Sequence, residues 1–230
     1  MAELILALDL SDGDSALRLL DRLPGVGWVK LGSILMTREG PDLVRRLTGR
    51  GLSVFLDLKW HDIPNTVRGA VAGARDLDVR MVTVHTLGGG EMLAAAKEAS
   101  GDQVVVVGVT VLTSHTVSGY AQAVGSTTAD LRAEAIRQAR HAIGAGLDGV
   151  VASPHEVGAL RAALGAEPLI VVPGVRRPGD PMDDQRRTAT PGEAVLAGAT
   201  HLVVGRSVLR AADPVEAWDA IREEMATCAA

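Results

Sequence analysis

Eight short apolar runs rich in β-branched residues recur along the whole chain, at residues 4–10, 28–33, 54–59, 81–86, 104–112, 149–153, 169–175 and 201–207. Most are continuously apolar rather than alternating, which is the pattern of parallel strands buried on both faces. Helical spacing fills the intervals at 15–23 and 42–50, and again at 64–77, where Pro64 suits a first helical turn. Ser153-x-x-Glu156 and Thr190-x-x-Glu193 have the form of capping boxes, and Asp213-Pro214 with Glu216 reads as a further helix start. Gly51, Gly101, Gly146 and Gly165 stand where left-handed helix caps are needed.

Eight βα units with parallel strands close most simply into a (β/α)8 TIM barrel. An open doubly wound sheet would carry a glycine-rich turn after its first strand, where this chain has Ser11-Asp12-Gly13-Asp14. The 230 residues suit one barrel, and neither a linker nor a low-complexity tract interrupts them, so residues 1–230 are expected to form a single catalytic domain. Two connections, 113–127 and 176–189, are long enough to be lids or binding loops.

Barrel active sites form at the C-terminal ends of the strands. Here those ends read Asp9, Lys30, Asp57 with Lys59, His85, Thr110 with Thr113, Ser153, Arg176 and Arg206. One such residue is easily a solvated loop charge; so many on one rim argue for a site. Only three of the 23 basic residues are lysines, Lys30, Lys59 and Lys97, and two of them lie on this rim. Lysine, unlike arginine, can give up a proton. Within Asp57-Leu58-Lys59-Trp60-His61-Asp62, strand alternation aims Asp57 and Lys59 to one side and Leu56 and Leu58 to the other. Asp57 and Asp62 on either side should keep the Lys59 ammonium charged. A buried structural ion pair is the competing reading. Gly205-Arg206-Ser207 after the last strand offers backbone N–H groups and a guanidinium to an anion, against the plainer reading of a surface turn.

Other features carry less. His61 and His85 read as locally hydrogen-bonded, Gly88-Gly89-Gly90 as tight packing, and Trp28 and Trp60 as packing residues. No metal-ligand spacing and no Gly-x-Ser-x-Gly elbow occurs. A net charge of −5 without a basic run, and 2% aromatic residues, disfavour a nucleic-acid partner. No window of 18 apolar residues suggests a membrane span, and the N-terminus lacks the features of a signal peptide. The lone Cys228 fits a reducing, cytoplasmic setting.

The segment Phe55-Leu56-Asp57-Leu58-Lys59-Trp60-His61-Asp62-Ile63-Pro64-Asn65-Thr66 resembles the catalytic signature of the bacterial-type orotidine 5′-monophosphate decarboxylases. Leu6-Ala7-Leu8-Asp9, Val29-Lys30-Leu31-Gly32, Val111-Leu112-Thr113-Ser114, Pro173-Gly174-Val175-Arg176, Asp183-Asp184-Gln185-Arg186 and Val204-Gly205-Arg206-Ser207 extend the resemblance over nearly the full length. Trp60 stands where phenylalanine is usual, a change of packing rather than chemistry. The resemblance implies a cofactor-independent decarboxylation of orotidine 5′-monophosphate to uridine 5′-monophosphate, the last step of pyrimidine nucleotide synthesis. It implies Lys59 as proton donor to C6 of the pyrimidine and Asp57 beside the departing carboxylate. Asp62 would reach in from a neighbouring subunit together with Ile63 and Thr66, which makes the enzyme a homodimer. Asp9 and Lys30 would contact the ribose and Thr113 the pyrimidine. Arg176, Gln185, Gly205 and Arg206 would hold the phosphate. Metal-dependent sugar-phosphate enzymes share the Asp-x-Lys-x-x-Asp core but tend to carry a metal-binding glutamate where this chain has Lys30. A non-catalytic phosphate or nucleotide sensor would keep Gly205 and Arg206 without needing the acidic and basic array.

Overall fold

The computed structural model describes residues 2–127, 130–177, 180 and 187–228. Eight parallel strands close into a barrel in sequence order: β1 (Glu3–Ala7), β2 (Trp28–Gly32), β3 (Ser53–Trp60), β4 (Met81–His85), β5 (Val105–Val109), β6 (Gly149–Val151), β7 (Leu169–Val172) and β8 (His201–Val204). Pairing of Ile5 with Val203 closes the ring. Around it, among the described residues, run α1 (Gly13–Arg22), α2 (Ser33–Glu39), α3 (Pro41–Thr48), α4 (Pro64–Arg75), α5 (Gly89–Ser100), α6 (Val117–Val124), α7 (Leu131–Gly144), α8 (Val157–Leu164), α9 (Pro191–Leu196), α10 (Arg206–Leu209) and α11 (Pro214–Cys228).

Strand alternation splits the apolar residues between two cores. Ile5, Ala7, Phe55, Met81, Val107, Val171 and Val203 fill the barrel interior. Leu6, Val29, Leu56, Val82 and Val150 face outward and pack beneath the helices. The inward row on β3 therefore runs from Phe55 to Asp57, so the apolar filling of the barrel ends in a carboxylate.

Local signals account for the helix ends. Asp12 accepts from the Ser15 N–H and starts α1, and Thr190 with Glu193 forms the expected capping box of α9. Asp213 accepts from the N–H groups of Val215 and Glu216 at the start of α11. The expected glycine stops at Gly51, Gly101, Gly146 and Gly165 all have positive φ. Two expectations need correction. Ser153 accepts from the His155 N–H in a 3-10 turn (Pro154–Glu156) and the Glu156 carboxylate pairs with Arg187, so the reciprocal box does not form. The long connection after β5 is not all loop: Thr116 caps α6 and Gly125 ends it in the left-handed region.

Candidate active site

The C-terminal mouth of the barrel opens into a cavity lined by Asp9, Lys30, Asp57, Lys59, Thr113, Arg176, Gly205 and Arg206 over a floor that includes Ala7, Phe55 and Val203. Eight of the sequence-derived candidates thus converge on one space, although the ends of six different strands supply them.

Asp57 is its electrostatic centre, with a side chain only 13% exposed. Lys59 Nζ lies 2.8 Å from Asp57 Oδ1. Lys30 Nζ lies 3.6 Å from Asp57 Oδ2 and 3.0 Å from Asp9 Oδ1. Burial alone would raise the Asp57 pKa. The two ammonium groups and the hydrogen bonds from Lys59 and Thr83 outweigh it and hold the carboxyl below its usual range. A Cβ at Gly32 would stand 3.1 Å from Lys30 Nζ, so glycine there leaves room for the ammonium to fold back towards Asp9.

Strand β3 reaches this geometry through an irregularity. Leu56 pairs with Val82 and Trp60 with Val84, so the register shifts between them and β3 bulges against β4. Lys59 adopts φ +52, a region that few side chains other than glycine enter. Its N–H donates to the Thr83 hydroxyl at 2.8 Å, and that hydroxyl donates to Asp57 Oδ1 at 3.0 Å. Thr83 was not foreseen, because a threonine inside an apolar run reads as an ordinary strand former.

The cavity carries arginines as well as lysines. Arg176 and Arg206 line it and also line an adjoining cavity with Arg177, Asp180, Ser207 and Arg210. Thr113 follows two carbonyls, Val111 and Leu112, that accept from Arg187 at 3.3 and 3.0 Å. Arg187 is in turn paired with buried Glu156. Neither residue was singled out for this role in the sequence, since a basic residue in a polar loop reads as solvated.

The remaining candidates lie elsewhere. Asp62, Ile63 and Thr66 are exposed beside and on α4 and do not line the cavity within this chain; Asp62 accepts from the Ile63 N–H at 2.6 Å. Gln185 falls outside the described residues. His85 accepts from the Leu87 N–H and stacks on His61 at 5.5 Å, the local role expected of it. The buried Thr110 hydroxyl donates to the Val151 carbonyl. Lys97, the third lysine, pairs with Asp148 at 2.7 Å, away from the mouth. Among the described residues no cluster of three or more His, Cys, Asp or Glu side chains could hold a metal ion.

This fold and site define a (β/α)8-barrel enzyme for a small anionic substrate, with an acid–base array and two arginines lining one cavity. A model of the orotidine 5′-phosphate decarboxylase / HUMPS family matches residues 2–221, and the chain belongs to that family. It is 48% identical to the orotidine 5′-phosphate decarboxylase of Syntrophotalea carbinolica, over 97% of this chain and 95% of that one. The enzyme of the same name from Halorhodospira halophila is 47% identical, again over 97% and 95% of the two chains. The crystal structure of orotidine 5′-phosphate decarboxylase from Lactobacillus acidophilus superposes with a TM-score of 0.87 at 33% identity, covering 98% of this chain and 99% of the other.

Proposed function

We infer that this chain decarboxylates orotidine 5′-monophosphate to uridine 5′-monophosphate, the final step in making a pyrimidine nucleotide, and that Lys59 protonates C6 without help from a metal or organic cofactor. The observation that carries the reading is the Lys59 ammonium 2.8 Å from Asp57, in a cavity that Arg176 and Arg206 also line.

The chemistry explains why such a pair is needed. Cleavage of the C6–carboxylate bond leaves the electron pair on C6, in the ring plane, where the π-system cannot delocalise it. A fixed cation stabilises that pair, and a proton must then replace CO2. Lys59 supplies both: its Nζ–H bond breaks, the proton joins C6, and the neutral amine regains a proton from solvent. An arginine would supply only the charge. Asp57 orients the ammonium and lies beside the departing carboxylate. Asp9 and Lys30 take the ribose hydroxyls, and Thr113 the base. Arg176, Gln185, Gly205 and Arg206 take the phosphate, whose binding energy orders a site remote from it.

The metal-dependent relatives fit less well. The Lys30 ammonium stands between Asp9 and Asp57, so a divalent ion at that acidic pair would meet a fixed positive charge.

The same reading makes the enzyme a cytoplasmic homodimer in which Asp62, Ile63 and Thr66 of one protomer complete the cavity of its partner. Its support is an apolar rim: Ile34 after β2, Ile63 after β3 and Leu87 after β4 are 57%, 66% and 43% exposed.

The decisive assay follows the ultraviolet absorbance of orotidine 5′-monophosphate after addition of exhaustively chelated protein. Loss of the orotate chromophore with release of uridine 5′-monophosphate is expected. An unchanged spectrum would refute the assignment, and activity that needs added metal would return the chain to the metal-dependent branch.

A further inference from the structure

We infer that Thr83 is a positioning residue for the reaction: one hydroxyl fixes both the Lys59 backbone and the Asp57 carboxylate. The inference rests on the reading of Lys59 as proton donor.

The bulge creates the need. Between the pairs Leu56–Val82 and Trp60–Val84, three residues of β3 face Thr83 alone on β4. Such an irregularity breaks the ladder locally and leaves backbone groups to find other partners. The Lys59 N–H finds Thr83 Oγ1 at 2.8 Å. A hydroxyl has one proton and two lone pairs. Accepting from Lys59 leaves its proton free for Asp57 Oδ1, 3.0 Å away, and that same carboxylate oxygen accepts from Lys59 Nζ at 2.8 Å. The result is a closed ring that runs from the Lys59 amide through Thr83 and Asp57 to the Lys59 ammonium. Both ends of the lysine are tied to one point.

Two further facts make the hydroxyl hard to replace. Thr83 is fully buried, so water has no ready access to take its place. Lys59 is held at φ +52, a conformation that persists only where surrounding contacts over-determine it. Without an acceptor the buried amide loses its partner, and the backbone is free to leave that region and carry Nζ away from C6. Asp57 also loses a hydrogen bond to its charged form. Thr83 does not line the cavity, so it acts through Lys59 and Asp57 rather than on substrate.

The test compares wild type, Thr83→Val, which has the same shape without the hydroxyl, and Thr83→Ser, which keeps it. Turnover of orotidine 5′-monophosphate and hydrogen exchange at the Lys59 amide are measured on all three. Thr83→Val is expected to lower kcat at least tenfold, about 1.4 kcal/mol of transition-state stabilisation, with KM within threefold of wild type. Its Lys59 amide should exchange faster. Thr83→Ser should restore both readings to near wild type. A Thr83→Val enzyme within threefold of wild-type kcat, or a serine variant no better than the valine one, would overturn the role while the decarboxylase reading stands. An inactive wild type would overturn both. Should the valine variant not fold, Thr83→Cys, whose thiol is a poor acceptor, takes its place against serine with the same two outcomes.

Discussion

Lys30 Nζ lies 3.6 Å from Asp57 Oδ2, the carboxylate oxygen that Lys59 leaves free. Asp57 therefore stands between two ammonium groups, which with the hydrogen bonds from Lys59 and Thr83 overcome its burial. Replacing Lys30 by methionine removes one of them. The Asp57 pKa should then rise, because desolvation is opposed by Lys59 and hydrogen bonds alone. An active site that needs ionised Asp57 loses activity as pH falls through that pKa, so the acid limb of the kcat/KM profile should move to higher pH in Lys30→Met. A limb that stays at its wild-type position would show that Lys30 serves the ribose only.

The placement of Asp62 on an exposed segment of this chain makes a sharp prediction about assembly. Lys59→Ala should lower kcat by several orders of magnitude with the fold intact, and Asp62→Ala should also be impaired. If Asp62 acts across a two-fold interface, a mixed dimer has one site with both substitutions and one with neither. Unfolding and refolding the two variants together should restore activity well above either parent. Activity no higher than the parents' average would place Asp62 in the same cavity as the Lys59 of its own chain, or outside the mechanism.

Arg187 and Glu156 form a buried ion pair, with side chains 11% and 5% exposed. Removing one partner strands a charge, at a cost of about 3–5 kcal/mol, whereas replacing both by apolar residues is often neutral. Glu156→Leu alone should therefore lower the urea midpoint strongly, and Arg187→Met with Glu156→Leu should recover it. Activity should not follow. The double variant still lacks the guanidinium that binds the Val111 and Leu112 carbonyls immediately before Thr113. Recovery of kcat/KM along with stability would mean that these carbonyl contacts do not position the base-binding segment.

The strands were legible because a strand covered on both faces must be apolar throughout, and eight such runs leave little choice of fold. The rim was legible because charges ended those runs. Asp57 and Lys59 could be paired from alternation alone, since Leu56 and Leu58 both pack outward. What escaped depended on partners distant in sequence. Thr83 meets β3 only because of a bulge that no residue pattern announces. Glu156 looked like the second half of a capping box until Arg187, 31 residues later, claimed its carboxylate. α6 hid in a long polar connection because eight residues give too few turns to show a helical period. Asp62, Ile63 and Thr66 came from family resemblance alone, and their place in a shared site rests on a second protomer.

His201 begins β8 at the N-terminal end of the barrel, 8% exposed, with its ring edge-on to Trp28 at 5.7 Å. Burial pushes its pKa down to about 4. In the unfolded chain the same imidazole takes up a proton near pH 6.5. Its contribution to stability is thus fully present above pH 6.5 and is lost progressively as pH falls towards 4, by about 3 kcal/mol in all. His201→Gln has no such group, so its urea midpoint should fall less steeply than that of wild type between pH 7 and 4.5. Carboxylates titrate in both proteins, and the difference between the two profiles isolates the histidine. Because the reacting groups sit at the other mouth of the barrel, kcat/KM at pH 7 should be unchanged in folded His201→Gln. Parallel stability profiles would show that the imidazole is already protonated, or solvated, in the native barrel.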